Sequence, residues 1–294
     1  MIYVIGLDSD KTVLHFLAHA RKNRVDTTLV SLRDVAAGGS WQLTIPDDGN
    51  SSIRTSDSSL SLNPEGSYYC RIIDLSRLQQ DLLQVRKWRS MISSLSAWLE
   101  HIPGVVINRP GIESDNFCKP LHETTLGRLG FKVPASITSS NASILHAFAN
   151  AFPTIVKPVS GVLSSTRLVD ASEFLDFDSR RGPVHLQQYI SGTDVRAHVI
   201  GEQVHAEGIR SSGVDYRRPG NAVQFCPCRL PEDMHHKIVS STKCFGLTFM
   251  GWDFKVDSSG EYWCLEANPM PGYSVYDIRA QFGITQALIS ALGS

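Results

Sequence analysis

The chain has 294 residues, 42% hydrophobic and 19% charged, with a formal net charge of −1. This is an ordinary globular balance, enough for one large domain or two or three small ones around a sizeable core. The near-neutral charge argues against the broad basic field of a nucleic-acid or anionic-membrane partner, so any basic site must be local.

The start, Met1 to Gly6, has no basic n-region, and Asp8, Asp10 and Lys11 interrupt it at once. No run of about 20 apolar residues occurs, so a soluble, cytoplasmic protein is expected, with homo-oligomerisation left open. The six cysteines, at 70, 118, 226, 228, 244 and 264, are scattered and expected to be reduced. Cys226-Pro227-Cys228 lacks the spacing of a zinc site.

In chain order, Tyr3 to Leu7 predicts a strand, Val13 to Ala20 a helix and Thr27 to Leu32 a second strand, a βαβ-type start. An acid of the Asp8–Asp10 turn is expected to cap that helix. The stretch 38–67, rich in Ser, Asp, Gly and Asn, holds short alternating runs at 41–45 and 59–62. Tyr68 to Ile73 predicts a strand, Leu75 to Leu99 one or two helices, and Val105 to Ile107 a strand that Pro110 stops. Helices follow at 119–129 and 143–152, then the apolar strand Thr154 to Lys157. Strands are predicted at 184–190, 195–199 and 203–209, a polar loop at 210–221 and a helix at 231–245. Paired strands at 252–256 and 261–268 and a terminal helix at 284–292 complete an α/β (α+β) class.

The last strand pair carries the chemistry most open to geometric argument. Side chains alternate along a strand, so Glu266 and Asn268 share one face while Trp263, Leu265 and Ala267 take the other. A four-residue turn at 257–260 pairs Val256 with Glu261, which makes Asp253 a diagonal neighbour of Glu266. Two carboxylates and an amide oxygen form an all-oxygen site suited to magnesium, with waters and phosphates as further ligands. The bland alternative is a solvated hairpin face. Lys157, on an apolar strand before proline, is an unusual place for surface decoration. Arg217 beside Arg218 also reads as a solvated loop pair, and Arg196 as a partner for Asp194 two residues away. His15 and His19, one helical turn apart, read as surface histidines.

Gly251-Trp252-Asp253-Phe254 followed by Cys264-Leu265-Glu266-Ala267-Asn268-Pro269 resembles the metal-binding end of the ATP-grasp superfamily. The RimK-like and glutathione-synthetase-like carboxylate–amine ligases are the branch it is most similar to. Upstream, Asn108-Arg109-Pro110, Lys119-Pro120 and Gly130 to Pro134 resemble the opening of the central domain. Ile155 to Pro158 resembles the strand of the second nucleotide lysine. Leu186 to Ile190 with Gly192 to Arg196 resembles the hinge, and Asp215-Tyr216-Arg217 the element near the phosphates. The resemblance covers residues 105–294 and, more weakly, the N-terminal third.

It implies an ATP-grasp fold with an N-terminal βαβ pre-ATP-grasp domain (1–107), a central or lid domain (108–190) and a C-terminal domain with the metal site (191–294). It further implies ATP and Mg2+ (or Mn2+) as cofactors. Lys119 and Lys157 would contact phosphates; Gln188 and Tyr189 the adenine edge, Tyr189 through its backbone; Asp194 the nucleotide or Arg196. Arg196, Arg210 and Arg217 would serve the transferred phosphate and acyl phosphate, and Asp253, Glu266 and Asn268 would bind the metal. Two features depart from the pattern: Gln188 replaces an acidic hinge residue, and Ser160-Gly161 with Ser164-Ser165-Thr166 stands where a glycine-rich loop is usual. The implied reaction joins a carboxylate to an amine through an acyl phosphate. An ATP-grasp maturase making lactam or ester crosslinks in a precursor peptide is the first alternative, and a non-catalytic nucleotide-binding module the second. Arg71, Arg109 and Tyr273 are guesses for substrate contacts.

Overall fold

The computed structural model describes residues 1–46, 49–55, 58–111, 116, 118–159, 166–214, 216 and 221–293. The N-terminal part begins with β1 (Ile2–Gly6), α1 (Lys11–Lys22), β2 (Thr27–Ser31) and α2 (Leu32–Gly38). The short strands β3 (Ser40–Gln42), β4 (Ser52–Arg54) and β5 (Ser59–Ser61) follow, then β6 (Ser67–Cys70), α3 (Leu82–His101) and β7 (Val105–Ile107). Every residue of β1 is buried, as an apolar strand between parallel neighbours requires. The sheet order is β2-β1-β6-β7, with all pairs parallel. Asp10 caps α1 by accepting the Thr12 N–H at 2.7 Å, so the expected acid does cap the helix.

The apolar stripe of α3 engages the core from Trp88 onward, through Met91, Leu95, Trp98 and Leu99, while Leu78 and Leu82 are exposed. Its end is secured by Arg109, whose guanidinium donates to the carbonyls of Leu99, Glu100, Ile102 and Gly104. Leu99 and Glu100 are orphan acceptors of the last turn of α3, while Ile102 and Gly104 belong to the cap and the loop that follow. Arg109 is therefore spent on the fold and is not the substrate contact the sequence suggested.

The middle part comprises α4 (Lys119–Arg128), β8 (Ser136–Ser139), α5 (Ala142–Ala151), β9 (Thr154–Lys157), β10 (Arg167–Val169) and β11 (Val184–Gln188). Its antiparallel sheet, β10-β9-β11-β8, packs around Leu145, Phe174 and Leu186. The C-terminal part comprises β12 (Thr193–Ile200), β13 (Gln203–Ser211), β14 (Val223–Pro227), α6 (Glu232–Cys244), β15 (Phe249–Val256), β16 (Tyr262–Asn268), α7 (Ser274–Arg279) and α8 (Gly283–Leu292). Its antiparallel sheet has the order β14-β13-β12-β15-β16. Alternation sends Val195, Ala197, Val199, Trp252 and Phe254 into a core with Leu126, Phe131 and Ile238. The opposite face carries Asp194, Arg196, His198, Asp253 and Lys255.

The N- and C-terminal parts share a core in which Val4, Phe16, Tyr69 and Ile107 meet Ile200, Phe249, Ile284 and Leu288. Two polar clamps reinforce it. Asn108 donates to the carbonyls of Phe249 and Pro269 and accepts the N–H groups of Thr248 and Phe249. Buried Arg71 bonds Asp10 at 2.8 Å and the Pro271 carbonyl at 2.9 Å, so it braces the turn after β16. Arg71 and the fully buried Tyr273 are thus structural, against the sequence-based guess.

His15 and His19 are corrected as well. His15 bonds Asp277 at 2.7 Å, and His19 is 8% exposed against Phe282. Both seal the junction of α1 with α7 and α8, where an amphipathic helix meets a second buried surface. No disulfide forms, and no helix among the described residues is long and apolar enough to cross a membrane.

Candidate active site

The hairpin of β15 and β16 departs from the expected register in an instructive way. Val256 faces Tyr262 and Phe254 faces Cys264, and a bulge between Asp253 and Phe254 then sets Asp253 opposite Glu266. A bulge adds one residue to one strand and re-aims its neighbours. The two carboxylates are therefore direct cross-strand partners, and the diagonal pairing argued from an unbroken hairpin is superseded. The bulge also brings Leu265 beside Glu266 on the wall of a cavity. Asn268 lies one row further along, opposite Gly251, and its Oδ1 accepts the Met270 N–H at 2.9 Å. It stands outside the cavity wall.

This cavity lies between the middle and C-terminal sheets. Lys119, Lys157, Gln188, Tyr189, Asp194, Asp253 and Glu266 all line it, although they come from six separate elements and the hinge after β11. Three residues expected at the site do not line it. Arg196 shares the row of Asp253 and Glu266 but lies beyond Asp253 and off the wall, Asn268 ends β16, and Arg210 is exposed on the face of β13 opposite Ile209. Arg217, Asp215 and the segment 160–165 lie outside the described residues, while Thr166 reaches the wall.

The electrostatics explain how these charges coexist. Lys119 Nζ lies 3.4 Å from Glu266 Oε1, and Asn116 donates to the same oxygen at 3.2 Å. Arg196 Nη1 lies 2.6 Å from Asp253 Oδ2. Burial alone would lower the Arg196 pKa, but the Asp253 carboxylate outweighs it and raises the value. Gly251 makes room for this arginine, since a Cβ there would sit 2.4 Å from its Nη2. The expected Arg196–Asp194 pairing gives way to register: Arg196 faces Asp253 across β12 and β15, and Asp194 faces Lys255, with Nζ 2.7 Å from Oδ2.

At the hinge, Gln188 exchanges bonds with Ala135: its N–H donates to the Ala135 carbonyl at 2.7 Å, and its side-chain oxygen accepts from Ala135 at 3.4 Å. The Tyr189 N–H donates to Pro153 at 2.7 Å, so that backbone donor is committed within the protein. Behind them sits a buried cluster that sequence reading missed. Glu123 accepts from Gln187 at 2.6 Å, from His185 at 3.0 Å and from Ser136. Burial works to raise the Glu123 pKa, but His185, Ser136 and the charge of Lys157 outweigh it and lower the value. The partners His185 and Gln187 are 62 and 64 residues away from Glu123, so local spacing carries no signal for the cluster. Lys255 and Tyr216 were also missed as wall residues.

The donor set can be tested against magnesium. Among the described residues no group of three or more His, Cys, Asp or Glu side chains is placed to hold a metal ion. Two facing carboxylates supply too few ligands for a closed protein cage. They suit a hard cation that completes its shell with water and phosphate oxygens.

No protein-family model and no curated protein sequence matches this chain. Solved structures do. The ATP-grasp ligase PsnB, complexed with a minimal precursor, superposes with a TM-score of 0.82 at 23% identity, over 99% of this chain and 97% of that one. The macrocyclase MdnC from Microcystis aeruginosa MRC, bound to precursor peptide MdnA, gives 0.84 at 17% identity, over 100% and 99%. D-alanine–D-alanine ligase from Bacillus anthracis gives 0.61 at 16% identity, over 99% and 96%. The chain therefore has the ATP-grasp fold.

Proposed function

We propose that this chain is an ATP-dependent ligase that activates a carboxylate of a peptide as an acyl phosphate and joins it to a nucleophile of the same peptide. The observation that carries the reading is one cavity holding Lys119, Lys157 and Lys255 together with the facing carboxylates Asp253 and Glu266. A triphosphate is a polyanion that needs several cations in a partly dry site, and such phosphoryl transfer is chiefly positioning and charge neutralisation. Residues 108–190 contribute Lys119, Lys157, Gln188 and Tyr189, and residues 191–294 contribute the acidic pair, so the nucleotide is gripped between two parts of the chain.

In this reading Lys119 and Lys157 hold phosphate oxygens, and Ile155, Ile209, Phe254 and Leu265 give the adenine an apolar bed. Asp253, Glu266 and the nearby Asn268 would hold magnesium, which would supply further neutralisation of phosphate charge. Arg196, anchored to Asp253, keeps a guanidinium behind the transferred group. The substrate carboxylate takes the terminal phosphoryl of ATP and ADP leaves; an amine attacks the acyl carbon and phosphate departs, forming an amide.

A peptide is favoured over a small acid because PsnB and MdnC, both solved with precursor peptides, match over the full chain at 0.82 and 0.84. The dipeptide-forming ligase reaches only 0.61. The test is incubation with ATP, Mg2+ and candidate precursor peptides containing acidic residues. Peptide-dependent ADP release is expected, with loss of one water from the peptide mass per bond formed. Glu266→Ala is expected to abolish both; full turnover in that variant would falsify the metal assignment.

A further inference from the structure

A second cavity, of about 290 Å³, opens on the same face of the C-terminal sheet. Strand register places it. A single cross-strand row runs Glu266, Asp253, Arg196, Glu207 over β16, β15, β12 and β13. The nucleotide cavity takes the acidic end of that row, and the second cavity begins at Arg196 and continues past Glu207. Tyr216, from the wall of the first cavity, bonds Tyr276, from the wall of the second, hydroxyl to hydroxyl at 2.7 Å. The two chambers are thus adjacent, with Arg196 and the tyrosine pair between them.

The second chamber already holds a cation. Arg279 places Nε and Nη2 2.6 Å from the two oxygens of Glu207. Its guanidinium carbon lies 3.7 Å from the Phe225 ring centre and 5.3 Å from that of Tyr276. One carboxylate with two aromatic faces is the chemistry that binds alkyl cations, the rings attracting positive charge through their quadrupoles. Arg279 comes from the last residue of the short helix α7, and its side chain is 33% exposed while that of Glu207 is 14% exposed. The anion is thus the fixed partner and the arginine the more accessible one. The imidazoles of His198 and His205, directly opposed across β12 and β13, complete the wall. Burial lowers the pKa of both, so neither adds a competing positive charge near neutral pH.

We infer that this chamber is the subsite for the nucleophile, that it takes an alkylammonium group, and that Arg279 is its built-in occupant. The inference rests on the ligase reading for the word nucleophile, while the cation site itself stands on the geometry of Glu207, Phe225 and Tyr276. Arg279 swings out as a substrate ammonium enters, and the ammonium gives up a proton to solvent to become the amine, next to Arg196, on the far side of which the acyl group is made. A salt bridge that merely pins α7 makes the opposite forecast.

The experiment is a ligand-observed NMR titration of n-butylammonium, with butyrate as control, on wild type, Arg279→Ala, Arg279→Gln and Glu207→Gln. ADP–Mg2+ binding by calorimetry is run on each as a check of folding. Removal of the occupant is expected to tighten n-butylammonium binding at least tenfold in both Arg279 variants. Glu207→Gln is expected to abolish it, and butyrate to bind none of the four. Loss of ammonium binding in the Arg279 variants, or binding no tighter than wild type, would show a structural salt bridge and overturn the proposal. Butyrate binding in preference to ammonium would overturn its charge class. The calorimetry separates the two readings: ADP–Mg2+ binding without a gain for ammonium leaves the nucleotide site standing and sinks this one, and the reverse pattern does the converse.

Discussion

At the scale of single residues, the site is a set of charges that neutralise one another until substrate arrives. Asp253 and Glu266 are each held by a cation of the protein, Arg196 at 2.6 Å and Lys119 at 3.4 Å. Removing one partner of such a buried pair leaves an uncompensated charge. Arg196→Met is accordingly expected to destabilise the fold as well as abolish turnover, whereas Lys157→Met is expected to weaken ATP affinity. Calorimetry with ATP–Mg2+ beside a thermal scan of both variants checks the split.

The buried histidines give a pH forecast. Burial lowers the folded pKa of His198 and His19 below 6.5; for His198 the Arg196 charge adds to this, and for His19 Asp277 opposes it. The unfolded chain therefore binds more protons than the folded one just below pH 6.5. Stability is expected to be full above about 6.5 and to fall as the pH drops through that value. Neither ring nitrogen of His19 meets a partner among the described residues, although its ring stacks on Phe282 at 4.7 Å. His19→Phe is expected to raise the melting temperature and reduce the acid sensitivity. An unchanged pH profile would count against this account.

At the scale of elements, caps and bulges matter more than propensity. The end of α3 depends on one side chain, Arg109, bonding four carbonyls. Arg109→Ala orphans those acceptors and is expected to cost about 2 kcal/mol, read as a lower urea midpoint with nucleotide binding retained. The middle sheet has a small core of Leu145, Phe174 and Leu186. Leu186→Ala should therefore cost about 2–5 kcal/mol locally and be seen as faster amide exchange in β8, β9 and β11. The bulge in the last hairpin is the element-scale feature that matters for chemistry. It converts a diagonal pair of acids into facing ones, and a sequence read by strict alternation has no signal for it.

At the scale of the whole molecule, the N-terminal sheet acts as a brace for the end of the C-terminal one that carries the candidate site. Asn108 and Arg71 reach across to the carbonyls of Pro269, Met270 and Pro271, the turn that ends β16. Asn108→Ala is expected to weaken Mg2+ dependence of ADP binding without touching the cavity, measured as a rightward shift of the magnesium titration. Nucleotide binding should in turn stabilise the assembly. ADP–Mg2+ at about 100 times its Kd is expected to add about 2.7 kcal/mol, and EDTA to remove most of that gain.

The sequence by itself determined the α/β class, the order of nearly all elements, the capped first helix and the identity of the two acidic metal candidates. Those follow from short-range periodicity, turn residues and ordered motifs, which are written along the chain. The three-dimensional structure decided which charges meet. It paired Arg196 with Asp253, turned Arg210 away, brought Gln187 and His185 onto Glu123, bonded His15 to Asp277 and buried His19. Such partners lie tens to hundreds of residues apart in sequence, and strand register, sheet order and one bulge choose among them. None of those has a local signature, because each is settled by packing energies summed over whole faces.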